Sequence, residues 1–167
     1  MDLAKNLKID SVCRLHPGPP HHVSPSQSVA DAVALMRQEQ VGCVLVCQGS
    51  RVEGIFTERD LLKRVLASGK PLTTSVADCM TPHPIAVHPK DSIATAVRRM
   101  EEGGYRHLPV VDEAGVPLGV LSVKRIVHYL VEHFRRRFTI YLRIRTWCLG
   151  SPKELDKIED FRWIESS

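Results

Sequence analysis

Thr57-Glu58-Arg59-Asp60 sets a hydroxyl and a carboxylate three positions apart, directly after the apolar run Gly54-Ile55-Phe56. At a helix start this spacing serves two kinds of chemistry. The two side chains can cap the helix reciprocally, each satisfying a backbone N–H that has no partner within the helix. Alternatively, the carboxylate accepts hydrogen bonds from a bound molecule, while the hydroxyl and the free N–H groups of the first turn attract an anion. A second group, Arg106-His107 with Pro109 close behind, places cationic side chains at the head of a β-branched run. A third, Ser122-Val123-Lys124-Arg125, repeats the hydroxyl-first pattern but ends in a guanidinium. A guanidinium only donates hydrogen bonds, so Arg125 cannot do what a carboxylate does at that position.

Other reactive side chains lack a pattern. Of the eight histidines, His128 and His133 are five apart on a predicted helix, a poor spacing for one face, and no Cys/His set has zinc-site spacing. No G-x-S-x-G nucleophile motif occurs. The five cysteines, Cys13, Cys43, Cys47, Cys79 and Cys148, are odd in number and contain no C-x-x-C pair. They read as small apolar residues in a reducing compartment. The expectation is a protein with no structural metal and no catalytic activity.

The elements that carry these residues come in two copies. A shift of 64 residues aligns Val23-Ser24-Pro25 with Val87-His88-Pro89, and Ser28-Val29-Ala30-Asp31-Ala32-Val33 with Ser92-Ile93-Ala94-Thr95-Ala96-Val97. One residue more brings Gly54 onto Gly119, Thr57 onto Ser122 and Asp60 onto Arg125. Each copy reads as an extended piece ending at proline, then a helix capped by Ser28 or Ser92. The helical stripes are Val29, Ala32, Val33 and Met36, and Ile93, Ala96, Val97 and Met100. A β-branched run follows, Val41 to Cys47 or Leu108 to Val111, with Cys43 and Cys47 on one side of the strand. A polar turn leads to the second run, and a last helix carries Leu61, Leu62, Val65 and Leu66, or Ile126, Val127, Leu130 and Val131. A β-α-β-β-α unit of this size buries too little apolar surface alone, so the two should pack sheet to sheet.

Composition agrees with one compact domain or two small ones: 167 residues, 43% hydrophobic and 25% charged. A disordered chain, a collagen-like repeat and a long coiled coil are excluded. No run of 18 apolar residues and no apolar leader segment occurs, which predicts a cytoplasmic protein without membrane contact. Residues 1–134 hold 15 Lys and Arg against 14 Asp and Glu, and residues 135–167 hold 8 against 5. A nearly neutral body does not hold a polyanion by charge, so nucleic acid is an unlikely partner. The basic-aromatic stretch from Phe134 to Trp147 reads as strand or helix, and Ser151-Pro152-Lys153-Glu154 as the start of a closing helix.

The repeats resemble a tandem pair of cystathionine-β-synthase-type (CBS) domains, a Bateman module. The resemblance is carried by Gly54-Ile55-Phe56-Thr57-Glu58-Arg59-Asp60, by the opening Val76-Ala77-Asp78-Cys79-Met80-Thr81-Pro82-His83-Pro84-Ile85, and by Tyr105-Arg106-His107-Leu108-Pro109-Val110-Val111-Asp112. It places one repeat at 9–68 and the other at 76–134, with 135–167 as an added segment. It implies an α/β (α+β) fold of two β-α-β-β-α repeats related by a pseudo-two-fold axis. It also implies a regulatory role: a homodimer that binds AMP, ADP or ATP between its repeats as a regulatory ligand, with no fixed cofactor, and modulates an effector protein. Carried over, Asp60 accepts from the ribose hydroxyls and Thr57 lies by the phosphate. Arg106, His107 and Lys124 face phosphate oxygens, and Pro109 supports the adenine. A second cleft would involve Ser122, Arg125 and Arg59. It lacks the ribose carboxylate, and Gly42-Cys43 and Leu45 stand where the other copy has Arg106-His107 and Pro109. The alternative reading is a degenerate pair that dimerises or adapts without a nucleotide.

Overall fold

A computed structural model describes residues 3–135. The chain divides into two units, residues 1–129 and 130–167; of the second, residues 130–135 are described and are helical. The predictions for the rest of the tail and for Cys148 lie outside the described residues.

The first unit begins with α1, Leu3–Ile9, and a 3-10 turn, Val12–Leu15. Strand β1 (His22–Val23) then leads to α2 (Val29–Gln38), β2 (Cys43–Gln48) and β3 (Arg51–Thr57). Helix α3 (Glu58–Asp60) continues as π-helix through Leu61–Leu66. A linker with a 3-10 turn (Val76–Asp78) reaches β4 (Thr81–Pro82), α4 (Ile93–Gly103), β5 (His107–Val111) and β6 (Pro117–Ser122), and residues 123–129 are helical.

Both long helices start where the serines predict. Ser28 Oγ accepts from the Asp31 N–H at 3.1 Å while Asp31 Oδ2 accepts from the Ser28 N–H at 3.0 Å, a complete capping box. Ser92 Oγ accepts from the Thr95 N–H at 3.1 Å. Both helices end in a left-handed residue at equivalent positions, Gly104 (φ 63°) and Gln40 (φ 52°). Only the first is free of a Cβ penalty.

The first sheet has the order β1-β2-β3-β4, parallel between β1 and β2 and antiparallel elsewhere. The second pairs β5 with β6 antiparallel, with Val87 bridged parallel to Val110 and Gly18 bridged antiparallel to Val120. The first matches Val23 to Val46 under the repeat shift, and the second joins the counterparts of β4 and β3 one residue out of that shift. The segment before each repeat therefore completes the sheet of the other repeat. The helix N-termini follow the same exchange: the Val29 N–H donates to Thr74 O and the Ile93 N–H to Asp10 O, each at 2.9 Å. Two glycines permit this crossing. A Cβ on Gly54 would lie 2.1 Å from Met80 Sδ, and one on Gly119 would lie 2.8 Å from the Gly18 carbonyl oxygen.

Strand β2 is buried on both faces, which explains its continuous apolar run. Val44 and Val46 join Val29, Ala32, Met36, Phe56 and Val65 in one core. Cys43, Leu45 and Cys47 join Ile55 in another, against which Val120 of the second repeat packs. The helical stripes are narrower than predicted. Val97 is 36% exposed, Leu62 61%, Leu66 58% and Val127 52%. Leu62 and Val127 occupy equivalent positions, so the exposed flank is common to the last helix of both repeats. In the first repeat that helix is π-wound, with bonds from the Ala67 N–H to Leu62 O and from the Lys70 N–H to Val65 O, five residues apart. Among the described residues no helix is long and apolar enough to cross a membrane.

Candidate functional site

Strand β3 delivers Thr57 to the start of α3 in extended conformation (φ −124°, ψ 165°). There the Thr57–Asp60 pair forms a second capping box. Thr57 Oγ1 accepts from the Asp60 N–H at 3.2 Å, and Asp60 Oδ2 accepts from the Thr57 N–H at 3.0 Å and from the Thr57 hydroxyl at 2.7 Å. Asp60 is only 7% exposed, the one buried charged residue among the described residues. Its other oxygen, Oδ1, accepts from the Thr81 hydroxyl at 3.3 Å and lies 3.4 Å from Arg64 Nε. Arg64 also donates to the carbonyls of Met80 and, at 3.5 Å, Cys79.

A cavity of about 410 Å³ opens over this carboxylate. Thr57, Asp60, Lys63 and Arg64 line it from the first repeat, Thr81 and Ile85 from the linker side, and Tyr105, Arg106 and His107 from the second repeat. Its charges are unequal: Arg59, Lys63, Arg64 and Arg106 against Glu58 and Asp60. Such a wall favours an anionic guest, while Ile55, Ile85 and Tyr105 supply apolar and aromatic surface. Burial pushes the His107 imidazole below its ordinary 6.5; Glu58 opposes this, and Arg106 and Lys124 add to it. The neutral ring is thereby favoured. Burial, reinforced by Glu58, also pushes the Cys43 thiol up to about 12, which makes it an inert core residue.

A family profile described as CBS domain matches residues 14–67 and again 76–132. The chain belongs to the CBS-domain family. As a CBS pair it is 41% identical over 105 residues to the Meiotically up-regulated gene 70 protein of Schizosaccharomyces pombe, covering 62% of this chain and 14% of that one. It is 32% identical over 108 residues to the CBS domain-containing protein YhcV of Bacillus subtilis, covering 62% and 77%. The crystal structure of CBSX2 in complex with AMP superposes with a TM-score of 0.63 at 30% identity, covering 73% of this chain and 96% of that chain. The chain spans 14% to 21% of the length of the first curated relatives it matches.

Within the CBS pair, the cavity brings together Thr57, Asp60, Arg106 and His107 from the predicted set. Pro109 does not line it: it is buried within β5, paired with Val120. Lys124 is exposed at the start of the last helix and reaches the site through its charge on His107. Arg59, expected at the second cleft, lines this cavity and donates to Gly104 O at 3.0 Å. Ser122 pairs with His107 across β5 and β6, and the Arg125 guanidinium packs over Gly18, 3.7 Å from where a Cβ would stand. Sequence reasoning missed Lys63, Arg64, Thr81 and Tyr105. The i,i+4 spacing of Asp60 and Arg64 is a readable signal. Thr81 reaches the site only through the strand exchange.

Proposed function

We propose that this CBS pair is a non-catalytic regulatory module that binds an adenine nucleotide in the cavity above Asp60. The observation that carries this reading is the meeting of a buried carboxylate with four cationic side chains and an apolar wall in one cavity built from both repeats. A nucleotide needs all three: an acceptor for ribose hydroxyls, a field for phosphate and a surface for the base. The AMP bound to CBSX2, a relative of the same fold at 30% identity, supports the same ligand class here. Because the ligand touches both repeats, its binding shifts their relative populations and so the surface offered to an effector protein. The exposed Leu62 and Leu66 are suited to a second copy of the chain, and mass measurement in solution tests that dimer.

The alternative is a pair that adapts or dimerises without nucleotide. It is favoured by the Asp60 carboxylate, whose oxygens are already held by Thr57, Thr81 and Arg64. Thermal melts with AMP, ADP and ATP separate the two. A ligand at a hundred times its dissociation constant adds about 2.7 kcal/mol of stability. No shift with any of the three selects the adaptor.

A further inference from the structure

A carboxylate offers about four acceptor positions, and Asp60 has four partners within the protein. Oδ2 takes the Thr57 N–H and hydroxyl, at 3.0 and 2.7 Å. Oδ1 takes the Thr81 hydroxyl and faces Arg64 Nε, at 3.3 and 3.4 Å. A ligand hydroxyl that reaches Asp60 must therefore displace one of them. The two Thr57 contacts are short and hold the start of α3. Thr81 sits in β4, whose backbone is paired with Ile55. Arg64, held elsewhere by its Nη1 on the Met80 and Cys79 carbonyls, is the partner whose contact to Asp60 opens most easily. Its side chain is 45% exposed, it lines the cavity, and its contact to Oδ1 is the longest of the four.

We propose that Arg64 makes the cavity selective for phosphorylated over unphosphorylated nucleosides by competing for Asp60. The inference rests on the nucleotide-binding reading above. A guanidinium is a cation that needs an anionic partner when its water is taken away. Once a ribose takes Oδ1, the remaining partners of Arg64 are the neutral carbonyls of Met80 and Cys79. A neutral nucleoside breaks the ion pair and returns nothing to the guanidinium. A nucleotide brings an anion into the same cavity, and the guanidinium exchanges one carboxylate for a phosphate. Arg64 therefore penalises adenosine and spares AMP.

The test is calorimetry of AMP and adenosine with wild type, Arg64→Met and Arg64→Gln. Glutamine keeps a donor for the Met80 carbonyl, so the tie between helix and linker survives in at least one variant. Losing a half-exposed ion pair tightens adenosine binding by about threefold to fivefold. AMP weakens, and the AMP-to-adenosine preference falls by about tenfold. If wild type binds AMP and neither variant gains affinity for adenosine, the competition is refuted and the nucleotide reading stands. If wild type binds neither compound, the competition is refuted, and the nucleotide reading is decided by the melts with ADP and ATP. A measurement on wild type alone closes the remaining gap. The Arg64 Nε–H resonance moves as AMP is titrated, following the binding isotherm, and a stationary resonance overturns the proposal.

Discussion

Replacing Asp60 by alanine removes an N3 carboxylate and a ligand acceptor at once, and the structure separates the two effects. For stability, the Thr57 N–H and hydroxyl lose their acceptor, Thr81 loses a long hydrogen bond and Arg64 loses its anion. Loss of a capping interaction costs about 1 kcal/mol, and an i,i+4 pair with one exposed partner about 0.3–0.5 kcal/mol. The total, about 1–2 kcal/mol, leaves a domain of ordinary stability folded. For binding, a hydrogen bond to a charged group is worth about 1.5–3 kcal/mol. The ribose must displace an existing partner, so the net loss is smaller, about 1–2 kcal/mol, or about five- to thirtyfold in AMP affinity. Calorimetry with AMP reads the second effect and a denaturant melt the first. Asp60→Asn is the control, since an amide oxygen still accepts from the Thr57 N–H while the charge is gone. It should recover most of the stability and little of the affinity. If Asp60→Ala lowers the melt as calculated but binds AMP within twofold of wild type, the carboxylate only caps its helix and the ribose assignment is refuted.

Three further outcomes are expected. Gln40→Gly relieves the left-handed backbone at the end of α2 (φ 52°) and raises stability by about 0.5–1 kcal/mol in chemical denaturation; an unchanged or lower midpoint contradicts the strain. Gly119→Ala drives a methyl to 2.8 Å from the Gly18 carbonyl oxygen and lowers stability by about 1–3 kcal/mol, with slower-exchanging amides lost around residues 17–18 and 119–121. Because burial holds the folded-state His107 below its ordinary 6.5, the unfolded chain binds the proton more readily. The stability attached to His107 is present above about pH 6.5 and is lost as pH falls through the folded-state value. His107→Gln should flatten the denaturation midpoint between pH 7.5 and 5, and an unaltered slope would count against this.

The parts of the fold that were legible in the sequence are those set by local chemistry. Ser28 and Ser92 cap their helices because a serine before an apolar stripe has a helix N–H within reach whatever the tertiary context. Cys43, Leu45 and Cys47 share a face because strand period decides it, and a bulge between Val46 and Cys47 does not turn Cys47 away. The features that escaped depend on partners distant in sequence. Strand β4 has two residues, Thr81 and Pro82, and no periodicity reveals it; it exists because β3 offers a free edge. The exposure of Leu62 and Leu66 escaped because an apolar stripe does not say which of its flanks the rest of the fold covers. Half of the site was likewise legible. Thr57 and Asp60 announce themselves by spacing, whereas Thr81 and Tyr105 reach the cavity from other elements.

The two halves share a backbone plan but not a chemistry, and the differences are coupled. At Asp60 the first repeat has a carboxylate, and the residue crossing beneath it, Thr81, carries a hydroxyl that donates to it. At the equivalent places the second repeat has Arg125 and the segment Pro17-Gly18. The residue paired with Val120 as Thr81 is paired with Ile55 is Gly18, which has no side-chain donor to offer a carboxylate and leaves room for a guanidinium, which lies over it. An acid on one side is matched by a hydroxyl, and a base on the other by open space. Fitting a carboxylate at position 125 would leave it facing a segment with no side-chain donor, whereas Asp60 is fully partnered. The duplication thus supplies two frames, and the lead-in segment that crosses under each helix start decides which of them can hold an acceptor for a ligand. On the proposed reading, the single acidic cleft follows from Thr81 as much as from Asp60.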